Sequence, residues 1–253
     1  MEEPFFRFEK FSNFPEIIHG MSLRSYGDMK FGNRPTEEII TNRRAFFRDL
    51  GVAETDVICC QQDHGSRVVT VGKNERGKGV LECGTAIGKT DALISVDKDV
   101  FLMVEVADCL PVLVYDPVLK IVAAVHAGWR GIIDQIIPEV INQFRKYGSD
   151  LDNLIVGIGP SICQKHFIAK SSVLEKFKDL YPQAILLINK DGYVDLRKAT
   201  FSDLKNQGVH PSNIEISNNC TICDNGTYSS YRKEGESVLK MAAVIGMRDN
   251  DKF

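Results

Sequence analysis

Two side chains that could share one chemical task lie in the segment ADCLPVLVYDPVLKIVAAVHAGWRG. Asp116 and Pro117 suit the first two positions of a type I turn, so the strands on either side should fold back as a hairpin. A turn centred between Pro117 and Val118 sets Cys109 opposite His126, with their Cβ atoms about 5 Å apart. A thiolate and an imidazole at that separation can bind one metal ion, since Zn–S is about 2.3 Å and Zn–N about 2.1 Å. The same pair can act as a cysteine nucleophile with a histidine base, or be ordinary packing. A metal would need a third ligand. Of the five histidines, His64 lies in the polar loop QQDHG, whereas His19, His166 and His210 sit in contexts that suggest a terminus, the surface or a helix start.

The surrounding pattern supplies elements to hold these residues. Residues 36–50 carry apolar positions at Ile39, Ile40, Phe46, Phe47 and Leu50 between Pro35 and Gly51, the start and stop marks of a helix. Residues 57–60 and 68–71 read as short strands around QQDHGSR, which places His64 in a loop at a sheet end. ALISV, VFLMVEV, LPVLVY and KIVAAV are β-forming runs bounded by polar residues. After Gly128 the apolar period becomes helical up to Gly148, with Pro138 expected to kink that helix. LIVGIG reads as a strand. Helices are expected from about Ser171 and up to Gly208, and a strand pair around 228–245. Strands bunch without one helix each, so the expected class is α+β, with packed mixed β-sheets flanked by helices in α/β/β/α layers. With no linker or repeat in view, residues 1–253 read as a single domain.

Composition narrows the function. A net charge of −3 gives no general attraction to nucleic acid or anionic lipid, and no apolar run approaches the eighteen residues of a membrane helix. MEEPFFRFEKF is neither a signal nor a transit peptide, and seven irregularly spaced cysteines do not make a disulfide framework, so a cytoplasmic protein with reduced thiols is expected. GTAIGKT departs from the phosphate-binding P-loop, which requires Gly where Cys83 stands. Cys220 and Cys223 form one CxxC, with no second pair to complete a four-sulfur site, and read as packing or substrate-side support. Where strand passes to helix at Gly128-Trp129-Arg130-Gly131, free N–H groups and Arg130 are candidates to hold an anion.

QDHG, TDALIS, ADCLPVLVYDP, AAVHAGWRG, IGPSI and CTICDNGTYSSYRKEG resemble the serial motifs of the laccase-like multicopper polyphenol oxidase family, now regarded as purine nucleoside phosphorylases. The resemblance extends from about His19 to Ile245. It implies that His64, Cys109 and His126 bind the metal, with Cys109 and His126 at the centre of catalysis. Arg24, Asn42 and Arg232 are polar residues within the family's motifs and join Arg130 as candidates for substrate contact. Where the family has TGRMA this chain has VLKMA, with Lys240 in place of Arg. The implied reaction is phosphorolysis of adenosine, inosine or S-methyl-5′-thioadenosine to free base and sugar 1-phosphate, with adenosine deamination as a side activity. The implied state is a monomer or weak homodimer.

A multicopper oxidase would need many imidazoles, usually in HxH pairs, and this chain has five His and no HxH. A lone Cys-His-His site suits zinc, which leaves one position open when catalytic, although copper can occupy it. The alternatives are a copper-dependent phenol oxidase and a Cys-His hydrolase or deamidase.

Overall fold

A computed structural model describes residues 4–32, 34–189 and 191–249. Its organising elements are two mixed sheets laid face to face. One has the strand order β1 (Phe5–Phe6), β2 (Ile17–Ser22), β14 (Met241–Met247), β6 (Val100–Val106), β3 (Val57–Cys59). The other runs β13 (Ile214–Ile216), β9 (Ile155–Ile158), β7 (Leu110–Asp116), β8 (Ile121–Ala127), β5 (Ala92–Ser95), β4 (Val68–Thr70). The first is antiparallel except for the parallel pair β3–β6, and the second is antiparallel except for the parallel pairs β13–β9 and β4–β5 at its two edges.

The continuous apolar runs of the central strands follow from burial on both faces. In β8, Val122 and Ala124 pack into the layer between the sheets, while Ile121, Ala123, Val125 and Ala127 meet the helices. In β6, Val100, Leu102, Val104 and Val106 face the other sheet, and Phe101 and Met103 face outward. A two-residue period with both faces covered selects apolar side chains along these strands, and the exceptions are Glu105 near the end of β6 and His126 near the end of β8.

Helix α1 (Thr36–Leu50) covers the outer face of the five-stranded sheet through Phe46, Phe47 and Leu50. Each such buried side chain contributes about 1.5–3 kcal/mol. Gly51, at φ 72°, ends the helix in the left-handed region that glycine adopts freely. Helices α2 (Trp129–Ile133), α3 (Ile136–Tyr147), α4 (Ser171–Leu180) and α5 (Leu196–Asn206) cover the opposite sheet. The layers are therefore α/β/β/α, as expected. A small sheet beside α4, β10 (Ile168–Ala169), β12 (Asp191–Val194), β11 (Ile185–Ile188), was not anticipated.

Four expectations are corrected. The hairpin centre lies one residue later, between Val118 and Leu119, so Pro111 opposes His126 and extending the ladder by one pair sets Cys109 opposite Gly128. The Asp116 carboxylate accepts from the N–H groups of Val118 and Leu119, making a longer loop that Lys120 closes at φ 57°. Pro138 does not kink the helix: the break is at Gln135, φ 64°, and Pro138 occupies the first turn of α3, where its missing N–H is needed least. The expected strand pair at 228–245 is instead the short helix α6 (Tyr231–Glu234), capped by the Ser230 side chain, followed by β14 alone. His19 is neither terminal nor exposed: it lies in β2, and its Nε2 accepts from the Phe8 N–H at 2.9 Å.

No helix among the described residues is long and apolar enough to cross a membrane.

Candidate metal and active site

The two-residue change in pairing keeps Cys109 and His126 on the same face, because side chains alternate with period two. They become diagonal neighbours, still within reach of each other. Both extend the rows that fill the layer between the sheets, at the end where β7 begins and β8 finishes. His64 arrives from the loop between β3 and β4, at φ 66°. The ligand atoms of His64, Cys109 and His126 all lie within 4.8 Å of one another. His126 is buried, Cys109 partly buried and His64 exposed, so the cluster opens to solvent on the His64 side.

Asp91 holds two of these elements together. The pairing of Ala92 with Val125 puts it beside His126, whose N–H donates to the Asp91 carbonyl at 2.8 Å. Its carboxylate accepts His126 Nδ1–H at 2.7 Å and the backbone N–H groups of Asp63, His64 and Gly65 at 3.2, 3.1 and 2.9 Å. Burial would raise this acid, but His126 and the surrounding N–H groups pull it down to about 2. An ionised Asp91 commits Nδ1 of His126 as donor and leaves Nε2 free for a ligand bond, the arrangement that orients metal-binding histidines.

The Cys109 thiol is also shifted. Burial opposes ionisation, yet the charge and hydrogen bonding of His126, and then of His64, bring it down to about 6. Burial lowers His126 too, and Cys109 and Asp91 more than reverse this. The site thus favours a thiolate, the form that binds metal or attacks carbon.

Gly128 explains how three donors fit. A Cβ on it would stand 3.2 Å from Cys109 Sγ, 3.2 Å from His64 Cδ2 and 3.6 Å from His126 Cε1. A Cβ on Gly131 would stand 2.7 Å from the Gly65 carbonyl oxygen, so α2 can approach the His64 loop only with glycine there. A soft thiolate, two imidazoles and this crowding around one point fit a tetrahedral zinc-type ion bound by three side chains.

The other candidates have varied surroundings. Arg130 is exposed, with its guanidinium 4.4 Å from the Trp129 ring centre. Arg24 pairs with Glu234 at 2.7 Å. Asn42 donates to the Asp28 carbonyl at 3.0 Å, beneath Gly27. The Arg232 guanidinium reaches the His166 carbonyl at 3.2 Å, while its backbone N–H donates to Asp108 at 2.6 Å. Asp108 also accepts from the Thr221 hydroxyl at 2.6 Å, which fixes the residue before Cys109.

Lys240, which stands where the family has Arg, is partly buried. Burial holds its ammonium below the usual lysine range, outweighing the attraction of Cys109 and Asp108. Asp91 could have been singled out by pairing TDALIS with KIVAAVHA, which sets residue 91 against 126. A groove of about 510 Å³ lined by Ser66, Arg67, Asp134, Gln135, Pro138 and Glu139 includes none of the three cluster residues.

A layered α+β protein with one Cys-His-His cluster at the sheet end is the class these features define. The chain belongs to the family described as multi-copper polyphenol oxidoreductase laccase, which matches residues 16–248. It is 29% identical to the purine nucleoside phosphorylase YlmD of Bacillus subtilis, over 94% of this chain and 91% of that one. It is 30% identical to the adenosine deaminase RL5 of an unknown prokaryotic organism, over 78% and 77%. The crystal structure of the Bacillus licheniformis hypothetical protein YfiH superposes with a TM-score of 0.92 at 25% identity, covering 97% of each chain.

Proposed function

We propose that this chain is a metal-dependent purine nucleoside phosphorylase, converting adenosine, inosine or S-methyl-5′-thioadenosine and phosphate to free base and sugar 1-phosphate. Adenosine deamination is a side activity of the same site. The observation that carries this reading is the convergence of His64, Cys109 and His126 on one solvent-facing point in a chain of this family. We assign the three as ligands of zinc, for which copper can substitute. When bound, zinc supplies a positive charge that polarises a substrate oxygen.

Phosphorolysis breaks the bond from C1′ to the base as a phosphate oxygen bonds to C1′, and the base leaves with the bonding electrons and gains a proton. The sugar becomes oxocarbenium-like midway, so an anion held beside C1′ lowers the barrier. Arg130, two residues beyond Gly128, and Lys240 are the cations proposed to hold that phosphate. Asp91 keeps His126 oriented, and Thr221 and the Arg232 N–H keep Asp108 in place beside Cys109. Arg24, which is paired with Glu234, Asn42 and Arg232 are the further proposed sugar or phosphate contacts.

The Cys-His hydrolase reading draws support from Asp91, which would complete a Cys109-His126-Asp91 triad. It leaves unused the third donor, His64, directed at the same point. The multicopper reading lacks imidazoles: His19 is engaged by Phe8 and His210 by Ser212. Seven free cysteines favour the cytoplasm, and we propose a single-domain monomer or weak homodimer.

The test is base release from inosine, adenosine and S-methyl-5′-thioadenosine with and without phosphate. Release that requires phosphate and yields sugar 1-phosphate is expected, and Arg130→Ala should raise the KM for phosphate more than that for nucleoside. Phosphate-independent release, or none from any of the three, would contradict the assignment.

A further inference from the structure

A second group of metal-ligating side chains lies outside this site. Cys163 and His166 follow β9, and Cys220 and Cys223 follow β13, so two neighbouring parallel strands deliver a Cys-x-x-His and a Cys-x-x-Cys to the same end of the sheet. Their loops pair backbone to backbone at Ser161 and Cys220. The turn that bonds the His166 N–H to the Cys163 carbonyl folds the imidazole back over its own cysteine. The turn that bonds the Asp224 N–H to the Cys220 carbonyl does the same for Cys223.

From this geometry we infer that Cys163, His166, Cys220 and Cys223 form a second, closed site for a zinc-type divalent ion, with a structural role. His166 Nδ1 lies 3.3 Å from Cys163 Sγ, 3.6 Å from Cys220 Sγ and 3.7 Å from Cys223 Sγ, and all four donor atoms lie within 4.8 Å of one another. Four donors in a tetrahedron around zinc stand about 3.6–3.8 Å apart, given the bond lengths of 2.3 Å to sulfur and 2.1 Å to nitrogen. Three cysteines and a histidine are a full structural donor set, and binding releases the thiol protons to solvent.

The surroundings suit such an ion. The Cys163 N–H donates to Cys220 Sγ at 3.3 Å, a bond that supports a metal-bound thiolate. Three thiolates around a divalent ion leave a net negative charge, and the Arg197 guanidinium lies close enough to feel all three sulfurs. That guanidinium also donates to Ser161 O, Ser217 O and Asn219 O, tying together the loops that the ion would clip. Cys223 is exposed, which gives an ion a way in. Thr221, between two of the ligands, is the residue whose hydroxyl holds Asp108, so the ion would steady the residue next to Cys109.

The site does not depend on the reaction proposed above. The test uses the full chain equilibrated with zinc and desalted, and separately with cobalt. Two ions per chain are expected in the unsubstituted protein, one in Cys223→Ser or His166→Ala, and one in Cys109→Ala. Thiolate-to-cobalt absorption grows with the number of bound sulfurs, so Cys109→Ala should retain about three quarters of it. If Cys223→Ser does not fold, the unsubstituted stoichiometry and the Cys109→Ala spectrum still decide. One ion per chain, lost with Cys109→Ala, would overturn the inference, as would a disulfide mapped within the Cys220-x-x-Cys223 pair. The nucleoside assay is scored separately, so failure of one assignment is distinguishable from failure of the other.

Discussion

Asp91 contributes no proposed ligand atom, yet it fixes the orientation of one ligand and the path of the loop carrying another. Its carboxylate takes His126 Nδ1–H and three successive backbone N–H groups from the His64 loop. Replacing it by Asn keeps the size but presents a neutral oxygen and an NH2 group to those donors. Metal affinity at the Cys-His-His site should fall about 10–100-fold in Asp91→Asn, as for other outer partners of metal-bound histidines. Competition with a graded chelator would measure this, and unchanged affinity would show that Asp91 serves the fold alone. Gly128 makes a complementary point about space: a Cβ there would press on Cys109 Sγ and His64 Cδ2, both at 3.2 Å, and the donors would have to give by a few tenths of an ångström. Of these residues, sequence reasoning named the three side chains that cluster here because their motifs are specific. It missed the roles of Asp91 and Gly128 because these arise from a strand pairing and a close approach, neither of which is local in the chain.

At the scale of elements, strand and helix interiors were easier to read than the joints between them. ALISV, VFLMVEV, LPVLVY and KIVAAV became β5 to β8 because burial on both faces selects unbroken apolar runs. The hairpin joint was misplaced by one residue because the Asp116 side chain caps a longer loop, a choice that Asp-Pro alone does not decide. Likewise, Gln135 breaks the helix and Pro138 does not, since a left-handed glutamine leaves no mark in the apolar period. Cys220-x-x-Cys223 looked incomplete because its partner pair is a Cys-x-x-His nearly sixty residues away, joined by a parallel strand pairing. Arg43 gives a test at this scale. Though 2% exposed, its guanidinium donates to Met29 O, Gly79 O, Val80 O and Glu105, tying α1 to a loop and to β6. Arg43→Ala leaves those acceptors and the part-buried Glu105 carboxylate without this partner and should cost about 3 kcal/mol. Arg44→Ala, which loses an exposed pair with Glu54, should cost far less, because solvent screens that pair. Denaturant unfolding of the two variants would check this contrast, and equal losses would contradict it.

Across the whole molecule, the four layers bring chain segments far apart in sequence to one sheet end, and the packing that does so carries a pH signature. In the helical layer, Asp203 of α5 lies 2.8 Å from the Tyr181 hydroxyl, which is also 3.1 Å from the Ile132 carbonyl of α2. Burial raises the Asp203 carboxyl from 3.8 to about 7, outweighing the Tyr181 hydrogen bond. Between those values the folded chain keeps a proton that the unfolded chain has lost, so this group's contribution to stability falls as pH rises from about 4 to about 7 and then levels off. Asp203→Asn should therefore gain stability relative to the unsubstituted protein across that window, on the order of a few kcal/mol. Unfolding free energies at pH 4 and pH 8 would show it, and a pH-independent difference would contradict it. The central claim is that Cys109 serves this architecture as a metal ligand and not as a nucleophile. Timed iodoacetamide modification of the native protein, with all seven cysteines mapped before and after zinc removal, addresses it most directly. With zinc bound, Cys109 should resist alkylation. After chelation it should react rapidly at neutral pH, because His126 and His64 hold its thiol down to about 6. Rapid modification of Cys109 in the fully zinc-loaded protein, with loss of activity, would contradict the metal centre and favour a cysteine hydrolase.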